Sequence, residues 1–216
     1  MDITFAQLKL KVIRALSDET LDETPLGGAT YSADLLKDGI HAALDAVSSR
    51  IWKPSVSETE GDIDEFELSA DTLDVEAVYE KTLGIFLPRI SMRVGMSLSS
   101  SSGNGWLLYP NNKLTFINSV GSLGCTVYYS SWWAKPDKEA DFIEAPAQTL
   151  TCLILYASSF CLLADSTSSA SIDRFKTKVD SGAPTDNPAK EMSDFFLRRF
   201  EFELQRLPQM EKGRTQ

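Results

Sequence analysis

The stretch APAQTLTCLILYASSFCLLA, Ala145 to Ala164, decides how the rest of the chain is read. It carries no charge, and Asp141, Glu144 and Asp165 bracket it. Pro146 stands at the expected first helical position, where the missing N–H is not needed by the helix. Length and apolarity alone would suit a membrane span. The flanks argue against that: no Lys or Arg sits at either end, and Gln148, Thr149, Thr151, Ser158 and Ser159 dilute the apolarity. The reading adopted is a helix buried nearly all round at the centre of a helical core. At about 3.6 residues per turn, Gln148, Thr151, Ser158 and Ser159 share an arc of roughly 100°. Leu150, Leu153, Ile154, Ala157, Phe160 and Cys161 face away from it. Thr151 and Ser158 are therefore expected to meet a neighbouring helix or subunit at close approach.

Upstream of this stretch, short β-rich runs are expected at Val75 to Lys81, Arg89 to Val94, Trp106 to Tyr109, Lys113 to Ile117 and Cys125 to Ser131. Pro110 to Lys113, PNNK, is a tight-turn signal because Asn tolerates positive φ. Gly121 to Gly124 is a second turn. Ser97 to Gly105, SLSSSSGNG, is too polar to pack and reads as a loop projecting from the sheet. Trp132 and Trp133 close the region. They suit either an exposed contact anchor or, the preferred reading, a core lid between sheet and helices.

Further upstream lie two helices. Thr4 and Gln7 fit a capping box, with Ile3 and Leu8 as its staple and Phe5, Leu8, Val12, Ala15 and Leu16 at helical spacing. Ser32 caps the second helix, whose stripe is Leu35, Leu36, Ile40, Leu44, Val47 and Ile51, with Pro54 as its stop. Glu58 to Glu67 is acidic and reads as a solvated loop leading to a short strand at Phe66 to Leu68. Downstream, Ile172 to Val179 reads as a separate short helix. A last helix follows Pro188, with Met192, Phe195, Phe196, Phe200, Leu204 and Leu207 as its apolar face. The expected fold class is α+β, a mainly helical bundle with a β-rich insertion. Its parts are a helix pair (1–54), the insertion (63–133), the central and C-terminal helices (140–207) and a flexible tail (208–216).

Composition limits the chemistry. A formal net charge of −10 opposes sequence-independent nucleic-acid binding, which needs cations over phosphates. No apolar segment with a basic leader opens the chain, so no signal peptide is expected. Cys125, Cys152 and Cys161 lack metal or disulfide spacing and read as free buried thiols. His41 lies mid-helix between Asp38 and Asp45, where a surface ion pair is the simpler reading. No catalytic triad can be built without it. No cofactor, metal or catalytic residue is assigned.

Several phrases carry a resemblance. YSADLLKDGIHAALDAV (Tyr31 to Val47), GWLLYPNNKLTF (Gly105 to Phe116), TVYYSSWWAKPDKEADFIEAP (Thr126 to Pro146) and KVDSGAPTDNP (Lys178 to Pro188) are similar to segments of bacteriophage head-to-tail adaptor, or connector, proteins. The resemblance implies a structural, non-enzymatic virion protein of the neck. It implies a dodecameric homo-oligomer docked under the portal protein, with genomic DNA passing through its channel during packaging and ejection, and a next tail or neck protein below. No membrane is implied, and assembly would take place in the host cytoplasm. On this basis Leu207, Pro208, Gln209, Met210, Glu211, Lys212, Gly213 and Arg214 are assigned to portal binding. Ser99, Ser100, Ser101, Ser102, Gly103 and Asn104 are assigned to the tail side. Twelve copies would carry a formal charge of about −120, a field that keeps DNA sliding. Two other readings stand beside this one. One is an adaptor with cell-wall hydrolase activity using paired carboxylates such as Glu58 and Asp62; the other is a stand-alone binding module.

Overall fold

The computed structural model describes residues 1–16, 31–90, 104–118, 120–179 and 188–208. They fall into two compact units. One comprises Met1–Ile51 and Trp133–Gln209, the other Trp52–Trp132.

The first unit is helical. Helix α1 spans Phe5–Leu16, and its capping box forms as expected. Gln7 Oε1 accepts from the Thr4 amide at 2.9 Å, and Thr4 Oγ1 accepts from the Gln7 amide at 3.3 Å. Helix α2 spans Ala33–Ser48, with Ser32 Oγ accepting from the Leu35 amide. A 3₁₀ turn at Ala147–Thr149 leads into helix α3, Leu150–Val179. Pro146 therefore sits one residue outside the helical turn, its carbonyl accepting from both the amide and the hydroxyl of Thr149. Helix α4 spans Pro188–Arg206. The long helix α3 contacts each of the other three, and Cys152, Leu153, Leu155, Ala157, Ser158, Cys161 and Leu162 are buried around its circumference. That burial is what the uncharged stretch serves. A Cβ on Gly39 of α2 would lie 3.2 Å from the Ala157 carbonyl oxygen, so glycine sets how closely α2 approaches α3. On the hydroxyl arc, Ser158 and Ser159 are buried while Thr151 and Gln148 are exposed, so within one chain Ser158 is covered as expected and Thr151 is left uncovered.

The expected separate helix at Ile172 to Val179 is part of α3. The intervening DSTSSAS holds neither Gly nor Pro, and Ser and Thr are only mildly unfavourable inside a helix.

The second unit is β. Strands β1 Lys53–Glu58, β3 Thr72–Glu80, β4 Ile85–Leu87 and β7 Cys125–Ser131 form an antiparallel sheet in the order β1-β7-β3-β4. Strands β2 Glu65–Glu67, β5 Gly105–Leu108 and β6 Lys113–Ile117 form a second, in the order β2-β6-β5. The core joins side chains from both sheets: Val75, Val78, Leu87, Cys125 and Val127 with Trp106, Leu114 and Phe116. The Trp106 indole donates to the Leu87 carbonyl at 3.0 Å, so its polar edge is satisfied inside. Asn112 takes φ 59° in the turn before β6, as the PNNK signal implied.

The expectation of a mainly helical bundle is overturned. Among the described residues the fold is α+β, with four helices and seven strands in two antiparallel sheets. The β region holds a core of its own, built partly from strands that lack a clear alternating signal. Strand β1, KPSVSE, is mostly polar, and Pro54 read as a helix stop. As an edge strand it tolerates proline, because only one of its sides joins a ladder. Strand β4 lies before the strand expected at Arg89 to Val94; of that expectation, Arg89 makes an isolated bridge to Trp106 and Ile90 is outside any strand. Residues from 91 onward there lie outside the described residues. Trp133 is buried, its indole donating to the Ile51 carbonyl at 2.7 Å, while Trp132 is half-buried.

Candidate functional site

The assigned binding segments are only partly within view. Of the tail-side residues, Asn104 is exposed immediately before β5, and Ser99, Ser100, Ser101, Ser102 and Gly103 lie outside the described residues. Of the portal segment, Leu207 is half-buried and Pro208 exposed, and Gln209, Met210, Glu211, Lys212, Gly213 and Arg214 lie outside. The end of α4 is anchored. Arg50 Nε and Nη2 donate to the Leu207 carbonyl at 3.2 and 3.1 Å, and Nη2 donates to the Gln205 carbonyl at 3.0 Å. A guanidinium there satisfies carbonyls that the helix leaves unpaired and meets the negative end of its dipole.

The groups considered for catalysis have structural surroundings. Glu58 lies 3.1 Å from Lys81. Asp62 occupies a turn at φ 57°, its amide donating to the Val120 carbonyl. His41 does not pair with Asp38 or Asp45. Its Nε2 lies 2.8 Å from the Pro136 carbonyl, and the ring stacks on Phe5. Asp45 instead takes Lys135 at 2.7 Å. The ion-pair expectation fails because Pro136 brings a carbonyl to the imidazole, and the adjacent Lys135 brings a stronger partner to the acid. The three thiols are free and buried, each pushed up to about 11 by burial, which opposes thiolate chemistry. Among the described residues no cluster of His, Cys, Asp or Glu is placed to hold a metal ion.

One buried acid stands out in the β unit. Glu80 is 2% exposed. Its carboxylate accepts from the Thr82 amide at 3.1 Å and the Leu83 amide at 2.5 Å, with further bonds from the Thr82 hydroxyl and the Gly121 amide. Burial alone would push this carboxyl up. The donors outweigh it and hold it below the usual range. Glu80 therefore ties the β3–β4 turn to the loop before β7 (residues 121–124). The same two loops carry the exposed side chains Leu83 and Leu123.

Two exposed apolar faces remain. On the outer side of the four-stranded sheet, Val56 of β1 pairs with Tyr128 of β7, Tyr128 with Ala77 of β3, and Tyr79, two residues on, with Phe86 of β4. Tyr79, Phe86 and Tyr128 form a chain of ring contacts at 5.2 and 6.4 Å. Val56, Phe86 and Tyr128 are all exposed. The second face is on α4. Phe200 is 5% exposed and meets Tyr156 edge-on at 4.9 Å, and Ser193 exchanges hydrogen bonds with Ser159 on α3. Met192, Phe195 and Phe202 are exposed, Phe195 by 54% and Phe202 by 59%. The expected apolar face of this helix is thus two faces. Ser193, Phe200 and the half-buried Phe196, Leu204 and Leu207 turn inward. Met192, Phe195, Arg199, Phe202 and Arg206 run outward at the three-then-four spacing of a helical seam. That spacing was the signal in the sequence, hidden because both faces contain phenylalanine.

No family model matches this chain, and no curated protein matches it either.

Proposed function

We propose that the protein is a structural head-to-tail adaptor of a phage virion, assembling as a dodecameric ring under the portal, extending the DNA channel and receiving the next neck or tail protein. The observation that carries this reading beyond the resemblance is the pair of exposed apolar faces, one on a helix and one on a sheet, both on well-packed elements. A protein that acts by self-assembly and docking needs such faces on rigid supports. An acidic chain suits a channel that DNA must cross without sticking, with part of the acidic surface lining it. The segment after Pro208 leaves a helix end fixed by Arg50, a sound anchor for a portal-binding segment.

The test is direct. The chain mixed with isolated portal and viewed by negative stain should give twelve-fold rings on the portal. Chain truncated after Pro208 should remain folded and fail to join portal-bearing heads. Truncated protein that still completes heads would remove the tail assignment, and an absence of any portal complex would remove the adaptor reading.

A further inference from the structure

We infer that two copies of the free chain pair through the outward faces of α4, side by side and antiparallel, about a two-fold axis near Leu197. The pairing does not rest on the adaptor reading. It is read from the order of residues along this one face.

The seam complements its own reverse. It reads Met192, Phe195, Arg199, Phe202, and all four are exposed. Laid antiparallel, Met192 meets Phe202 of the second copy, and Phe195 meets its Arg199. The two-fold axis repeats both contacts. Two layers are then Met on Phe, a favourable sulfur–ring contact. The other two set a guanidinium on an aromatic ring. The helix already makes one contact of that kind within itself, the Arg206 guanidinium lying 5.6 Å from the centre of the Phe202 ring. Parallel pairing would set Arg199 on Arg199 instead. From Met192 to Phe202 the seam rises about 15 Å, a short contact that suits a weak dimer.

The charges beside the seam balance in the same register. Asp194 and Arg198 are exposed, and among the described residues neither has an ion-pair partner in its own chain. Antiparallel pairing brings Arg198 to within about 3 Å, along the axis, of the level of Asp194 in the second copy. The two arginines near the axis are thus matched by two acids. Glu191 falls beside Gln205 of the second copy and meets no like charge. Arg206 keeps its own partner Glu203. Lys190 and Glu201 lie on the sides of the helix turned away from the seam. Such a pair is isologous: each face is used up by the other, so association stops at two and does not propagate from copy to copy. The sheet face stays open for the head-to-tail contacts that a ring requires.

The experiment uses full-length single-cysteine additions treated with a short bismaleimide. The native thiols are buried, and Glu191 and Gln205 are exposed, so the introduced cysteines are the ones that react. Glu191→Cys mixed with Gln205→Cys should give a covalent dimer, and neither variant should give one alone. Self-linking by Glu191→Cys would mean a parallel pair and would overturn the inference, as would the absence of a mixed dimer at millimolar protein. In sedimentation velocity, Phe195→Ser with Phe202→Ser should weaken self-association at least tenfold while the melting curve of dilute protein stays in place; unchanged association would also overturn it. Rings on portal without the mixed cross-link would leave the adaptor reading and remove this pairing. The cross-link without portal rings would do the reverse.

Discussion

At the scale of the residue, Glu80 is the clearest case of sequence chemistry hidden until the chain is folded. Its carboxylate is held charged by donors from two loops. A group whose folded value lies below its unfolded one adds stability above the unfolded value, and that stability is lost as pH falls through the folded one. Glu80→Gln should therefore cost about 1–3 kcal/mol near neutrality. The gap between variant and parent should close as urea denaturation is repeated at pH values below the ordinary carboxylate range. A constant gap at every pH would show that shape, and not charge, is what Glu80 contributes. Nothing in DVEAVYEKTLG marks Glu80 as different from Glu76, because its donors come from amides that only the fold assembles. The alternation of β3 does place its side chain inward, but an inward acid read from sequence alone argues against a strand. His41 teaches the same lesson: its sequence neighbours suggested acids, and its partner is the carbonyl of Pro136, far along the chain.

At the scale of the element, α4 separates two roles that one helix can carry. Phe200→Ala should cost about 3–5 kcal/mol, since it empties a packed site against Tyr156. Phe202→Ala should leave the stability of the free monomer within about 0.5 kcal/mol. Equal losses from the two substitutions, read by thermal or urea melts, would mean that the outward face is packed in solution. Arg50→Ala should release the last turn of α4, raising amide exchange near Leu204 to Leu207 and costing about 1 kcal/mol. The elements themselves were readable in proportion to their periodicity. Helices α1 and α2 and strands β6 and β7 follow from caps and patterns, because the forces that form them act between near neighbours. Strand β1 did not, because six polar-rich residues become a strand only when β7 offers its edge. The length of α3 was missed for the opposite reason: between its two apolar stretches, DSTSSAS has no apolar stripe to announce a continuous helix and no breaker to divide it. The two α4 faces were in the spacing, but telling inner from outer requires knowing that Ser193 meets Ser159.

At the scale of the whole molecule, the chain enters the β unit after α2 and leaves it before α3, so each unit can be tested by itself. Residues 52–132 expressed alone should fold cooperatively, with the combined fluorescence of Trp52, Trp106 and Trp132, of which Trp106 is the most deeply buried, shifting red on unfolding. A fragment that stays unfolded would show that this core needs the helical unit. The sheet order carries one more consequence, concerning birth and not stability. Strand β7 is the last of the seven to be synthesised, yet it lies between β1 and β3, with Ser131 hydrogen-bonded to Lys53 78 positions earlier. On a ribosome adding about 5–20 residues per second, β1 and β3 must wait several seconds for the strand that joins them. The first unit waits longer still, since α1 and α2 meet their common partner only once α3 has emerged. A nascent chain stalled before Cys125 should therefore be open to protease throughout 53–80 and bound by chaperones. Protection should appear abruptly, as a single late event, once β7 has cleared the exit tunnel.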